Sequence, residues 1–152
     1  MSRKWSDDAA LVSSLTDNLF ESLPLFPQKL LKIEEVVRAQ NMPYSNIRIL
    51  ILLAKGDMSI SQLSDLLGIA KPNITPLVDH LHAQGLVERI RNSRDRRIVH
   101  VHLMPAGEEK IAALRESVME QVMAWPGNLS KSEVKELNNA MASINRISAL
   151  MD

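Results

Sequence analysis

Between Ser59 and Gly85 the chain writes two short helices with their punctuation in place, and no other stretch constrains the fold as much. In "MSISQLSDLLGI", Ser59 and Gln62 form an S-x-x-Q capping box, Met58 and Leu63 are placed for a hydrophobic staple, and Gly68 is the expected terminal glycine. "AKPNITPLVDHLHAQG" reads as the next helix, with Leu77, Val78 and Leu81 facing inward and Gly85 stopping it. Two helices joined by a tight glycine-containing turn make a helix-turn-helix pattern. In "IVHVHL", Val99, Val101 and Leu103 then alternate with Ile98, His100 and His102, a period of two with one apolar face. With "GLVERI" upstream as its partner strand, "RNSRDRR" (Arg91 to Arg97) becomes the tip of a β-hairpin. Helix, helix, helix, strand, basic turn, strand is the order of a winged helix.

The flanks read as further helices. Leu11, Leu15, Leu19 and Leu23 recur at i+4 until "LPLFP" breaks the stripe, and Leu30, Leu31, Ile33, Val36 and Val37 mark a second amphipathic stretch. Pro43 suits the first turn of "YSNIRILILLAKG", which is apolar almost all round and should be the buried central helix. After the hairpin, Pro105 opens a helix lined by Ile111, Leu114, Val118 and Val122, which "WPGN" ends. Ser130 and Glu133 form a second capping box, with Leu129 and Val134 as a second staple. The last helix carries Val134, Leu137, Met141, Ile144, Ile147 and Met151 at near-heptad spacing, a stripe for packing on the same chain or on a partner. The expected architecture is mainly α with a small β-hairpin. It has N-terminal helices over 1–42, a winged helix-turn-helix over 43–104 and C-terminal helices over 105–152.

Composition excludes several functions. The formal net charge is zero, so a polyanionic partner has to be argued from local clustering. The absence of cysteine removes disulfides, thiol nucleophiles and cysteine redox switching, and suits a reducing compartment. No glycine-rich phosphate loop and no Ser-His-Asp signature appears, so no enzyme is expected. His100 and His102 share a strand face, but no third ligand is evident and no metal site is expected. "MSRKWSDDAA" has no apolar stretch behind its basic residues, and "ILILLA" is far too short for a membrane span. A cytoplasmic protein without membrane association is expected.

A helix that enters the major groove needs donors and acceptors near its N-terminal end, on the face away from the core. Lys71, Asn73 and Thr75 stand there. Asn can read adenine, Thr can touch a thymine methyl, and Lys suits guanine or phosphate. Ordinary capping and surface roles are the competing explanation. An arginine on a slim loop can enter the narrow minor groove of A-tracts. Asp95 among the wing arginines could hold a nearby guanidinium by a charge-assisted bond, leaving Arg91, Arg94 and Arg96, with His80, for phosphates. A solvated basic turn is the alternative.

The stretch "SISQLSDLLGIAKPNITPLVDHLHAQGLVERIRNSRDRRIVHVHLMPAGEE" resembles the winged helix-turn-helix of the MarR family of bacterial transcription regulators. The marks are L-x-x-x-G-L-V-x-R before the first strand, the D-x-R wing from Asp95 to Arg97, and L-x-P-A-G after the second strand. The resemblance implies a homodimer, with the flanking helices of 1–42 and 105–152 as its dimerisation region, that binds an inverted repeat in double-stranded DNA, with Arg97 in the minor groove, oriented by Asp95. It also implies a repressor released by a small aromatic or lipophilic effector, bound where dimer helices meet the winged helix. Met42, Tyr44, Arg48 and Arg89 are the candidates there, with core packing or exposed ion pairing as competing roles. A winged-helix module that meets an acidic protein or RNA is the alternative function.

Two residues depart from the family pattern. Met104 replaces a capping Thr or Ser before Pro105, which should weaken that helix start. Pro76 falls inside the recognition helix, where proline removes a backbone bond and clashes with the preceding turn. Asn73 as N-cap would place Pro76 at N3, where its missing N–H costs nothing. A 3₁₀-like first turn is the other solution.

Overall fold

The computed structural model describes residues 4–22, 29–92, 95 and 97–151. After a 3₁₀ turn at Lys4–Asp7 come α1 (Ala9–Ser22), α2 (Ile33–Gln40), α3 (Tyr44–Leu53), β1 (Met58–Ser59), α4 (Ile60–Leu67), α5 (Lys71–Ala83), β2 (Val87–Arg91), β3 (Val99–Leu103), α6 (Pro105–Met123) and α7 (Lys131–Ser148). Leu23 and the "LPLFP" break lie outside the described residues. Among the described residues, no helix is long and apolar enough to cross a membrane.

The core is a single cluster of aliphatic side chains. Ile49 and Leu50 of α3, Leu63 of α4, Ile74, Val78 and Leu81 of α5, and Val87 and Val101 of the sheet are all essentially fully buried. The helix expected to be central, α3, buries Ile47, Ile49, Leu50 and Leu53. Pro43 stands just before it as the N-cap rather than inside its first turn. Asn41 supplies a left-handed turn (φ 47°) between α2 and α3, a conformation that Asn tolerates better than most residues.

The sheet has one strand more than the expected hairpin. β2 and β3 pair antiparallel from Val87↔Leu103 to Arg91↔Val99, and β1 adds to the other edge of β3 through Met58↔Val101 and Ser59↔His100. This two-residue bridge ties the start of α4 to the wing. Both capping boxes form: Ser59 with Gln62 and Ser130 with Glu133 each exchange a pair of side chain to backbone bonds.

Buried Gln40 joins the N-terminal helices to α6. Its Nε2 donates to Ser117 Oγ (2.8 Å), while its carbonyl accepts from Lys110 Nζ (2.7 Å). Gln121 acts similarly on the non-helical segment before α2, donating to Lys32 O (3.1 Å) and accepting from Lys32 N–H (2.8 Å). The helix expected to start weakly at Met104 has no side-chain cap. It is held instead by Met104 N–H, which donates to Leu86 O (2.9 Å).

Candidate nucleic-acid interface

The turn between α4 and α5 is built from local bonds. Gly68 takes the left-handed conformation (φ 65°) that ends α4, and Ser64 Oγ donates to Ile69 O (2.7 Å). Arg48 of α3 reaches under the turn to donate to Leu67 O (3.1 Å). With α4 fixed, α5 lays Ile74, Val78 and Leu81 into the core at i, i+4 and i+7. Lys71, Asn73 and Thr75 are all exposed at its N-terminal end.

The start of α5 differs from the preferred expectation. Ala70 is the N-cap in extended geometry (φ −57°, ψ 140°), Pro72 sits within the first turn, and Pro76 lies inside the helix. Asn73 is therefore not the cap. Its N–H donates to Ala70 O at 2.8 Å while Ile74 N–H reaches the same oxygen at 3.2 Å, which gives the first turn partial 3₁₀ character. The helix runs through Pro76 because its three fully buried side chains outweigh one lost backbone bond.

The wing is closed by its own backbone. Asn92 N–H donates to Ile98 O (2.9 Å), and Ile98 N–H to Asp95 O (3.0 Å). The Asp95 carboxylate accepts from the Arg97 backbone N–H (2.9 Å), an Asx turn that fixes the Arg97 main chain rather than its guanidinium. Arg97 and Arg91 are exposed, and Arg94 and Arg96 lie outside the described residues. His80, exposed on α5, accepts at Nε2 from Gln84 Nε2 (3.1 Å).

An apolar cavity of about 450 Å³ opens elsewhere, where α2, α3, α6 and α7 meet. Leu30, Ile33, Tyr44, Val118, Trp125 and Met141 contribute to its walls. Of the four residues suggested for an effector, Tyr44 alone lines it. Met42 is buried in the core. Arg48 lies over the Tyr44 ring (5.9 Å to its centroid), and its Nη2 donates to Leu67 O. Arg89 pairs with Asp79 Oδ1 (2.7 Å), bracing β2 against α5.

The MarR family model matches residues 40–98. The HTH-type transcriptional regulator FarR of Neisseria gonorrhoeae is 27% identical over 113 residues, covering 74% of this chain and 77% of that protein. The chain is similar to the MarR family over its winged helix-turn-helix. A second relative, the uncharacterized HTH-type transcriptional regulator YsmB of Bacillus subtilis, is 43% identical over 56 residues. That match spans only 37% of this chain and 38% of YsmB. The solved structure of the transcriptional regulator BldR from Sulfolobus solfataricus superposes with a TM-score of 0.58 at 26% identity, covering 96% of this chain and 99% of that one. The likeness to that regulator's fold thus extends over the flanking helices as well as the motif region.

Two contacts in this domain had no local sequence signal, because their partners meet only in the fold. One is Asp79–Arg89. The other is His102 Nδ1 with Asp57 Oδ1 (2.7 Å), which links the turn before β1 to β3. The hydrogen bond that His102 donates to Asp57 raises its pKa above the usual 6.5; burial opposes this, and the Asp57, Glu88 and Glu108 charges each add to the rise. A folded-state pKa raised in this way stabilises the fold fully below the unfolded value. The contribution disappears as pH rises through the folded value. Asp57→Asn is therefore expected to lower the melting temperature at pH 6, with the difference from wild type shrinking towards about pH 8.5. A difference that grew with pH would refute this role.

Proposed function

We propose that this chain is a sequence-specific regulator of transcription that binds double-stranded DNA as a homodimer on an inverted repeat. The observation that carries the reading is the pairing of one exposed helix end with a self-braced basic loop. Lys71, Asn73 and Thr75 stand at the solvent-facing start of α5, and Arg91 and Arg97 flank a wing closed by Asp95. The helix end offers the donors and acceptors that the major groove matches, and Arg97 suits the adjacent minor groove. Arg91 and His80 are assigned to phosphates, as are Arg94 and Arg96 from the sequence alone.

Dimerisation is supported by apolar side chains that one chain leaves in water. Leu11, Leu15, Leu19 and Phe20 on α1, and Ile144, Ile147, Leu150 and Met151 at the end of α7, are all exposed. Two-fold symmetry would set the two α5 helices one DNA turn apart, about 10 base pairs. A dimer seated across a promoter would repress by blocking access. A small lipophilic effector in the apolar cavity would release it by shifting α6 and α7 against the winged helix.

Fluorescence anisotropy on duplex DNA from the gene's own upstream region, against scrambled duplex over a salt series, tests the DNA reading. The expected result is tight binding to the native duplex, with a specificity ratio of at least about a thousandfold and a steep loss with salt. Equal weak binding to every duplex, upstream and tiled genomic alike, would sink it and favour an acidic protein or RNA as the wing's partner.

A further inference from the structure

We infer that Pro72 and Pro76 read thymines: their rings pack on thymine 5-methyl groups in the major groove and discriminate against cytosine at those positions. This rests on the DNA-binding reading and adds which side chains carry a base preference and which base they favour. At 3.6 residues per turn, Pro76 falls roughly 140–160° around the helix axis from each of Ile74, Val78 and Leu81, the three side chains that α5 buries, and Pro72 lies within about 40° of Pro76. The two exposed rings therefore form the crest of the helix, the line farthest from the core, with Asn73 and Thr75 on its flanks. In any groove that α5 enters, the crest goes deepest.

The crest offers no hydrogen bond. Neither ring carries a polar atom, and neither proline has an N–H. A polar base edge pressed against it would lose water without gaining a partner. Among the groups that base pairs present in the major groove, the thymine methyl is the hydrocarbon one, and cytosine lacks it. One helical turn sets the two rings about 6 Å apart along the axis, close to two base-pair steps of about 3.4 Å. The neighbouring side chains fit this division of labour. Asp79 is paired with Arg89 at 2.7 Å, which offsets the charge it would otherwise set against phosphate. Thr75 Oγ1 donates to Lys71 O at 3.3 Å, so its proton is committed along the helix. Asn73 on the flank suits an adjacent adenine.

The probe for a test is the duplex that the full-length protein itself enriches most strongly from a random pool. Each thymine is replaced in turn by deoxyuridine, which removes the methyl and keeps the base pair, and affinity is read by fluorescence anisotropy at one salt concentration. One or two positions in each half-site are expected to lose about three- to fivefold, the size of one buried methyl, while the other thymines change by less than about twofold. Pro72→Ala and Pro76→Ala, which keep Cβ alone, should each bind the thymine duplex more weakly and lose the penalty at one of those positions. Neither change threatens the fold, since alanine is the best helix former and restores a backbone N–H at position 76. Deoxyuridine without effect at every thymine, on a duplex still preferred over scrambled DNA, would overturn the methyl contact and leave the regulator standing. A penalty undiminished in both alanine variants would refute the proline assignment and pass the methyl to another side chain such as Thr75. A pool that yields no enriched sequence would sink the DNA reading itself, and the prolines' role with it.

Discussion

Alanine at Gly107 is expected to destabilise the protein by about 3 kcal/mol, although alanine in a helix ordinarily stabilises it relative to glycine. Gly107 is buried in the first turn of α6, where a Cβ would meet the Leu86 carbonyl oxygen and come within 2.5 Å of Leu103 Cδ1. Leu103 could rotate away only into a filled core, and the Leu86 carbonyl is held by Met104 N–H at 2.9 Å. The cheapest response is for α6 to lift off the sheet, breaking the bond that replaces its missing cap. For a domain of this size the loss corresponds to roughly 6–12 °C in melting temperature, at fixed protein concentration. Gly127→Ala is the control, since nothing lies within 4 Å of its Cβ position. Melting of Gly107→Ala alongside wild type would show that α6 docks more loosely than this contact requires. The same contact gives the glycine of the L-x-P-A-G motif a steric purpose.

Removing the Arg97 side chain is expected to weaken operator binding by about 1–3 kcal/mol, roughly 5- to 150-fold, with little change in melting temperature. The side chain is exposed, so the fold does not lean on it. Asp95 gives the sharper comparison because its carboxylate holds the Arg97 backbone N–H at 2.9 Å. Asp95→Asn keeps an acceptor oxygen there and should retain most of the affinity. Asp95→Ala removes it, frees the wing backbone, and should approach Arg97→Ala. Anisotropy on one operator duplex at one salt concentration ranks the three. If Asp95→Asn fell as far as Asp95→Ala, the carboxylate's charge would matter more than its hold on the turn. An Arg97→Ala variant with wild-type affinity would remove the wing from the interface altogether.

The parts of the fold that were legible in the sequence are those whose causes are local. Ser59–Gln62 and Ser130–Glu133 are four-residue signals, and both boxes form as written. The alternation of Val99, Val101 and Leu103 places the last two in the core, and Gly85 takes the left-handed φ (70°) just past the end of α5. β1 was not legible, because a strand of two residues has no periodicity and exists only through its pairing with β3. The cap of α5 was misplaced for a related reason: the local cost of Pro76 argued for a later start, and distant core partners decided for an earlier one. The exposed ends of α5 and the wing could be read from their spacing. The cavity could not, since its walls come from segments as far apart as Leu30 and Met141.

The two prolines of α5 bear on the timing of an entropy cost. Pro72 and Pro76 stand four residues apart on the exposed side of the helix, each with its φ fixed by the ring. They restrict the unfolded chain as much as the folded one, so less backbone freedom remains to be lost when Lys71, Asn73 and Thr75 meet a partner. The rigidity is installed at synthesis rather than at encounter, and favours a contact surface that selects its target by shape over one that adapts to many.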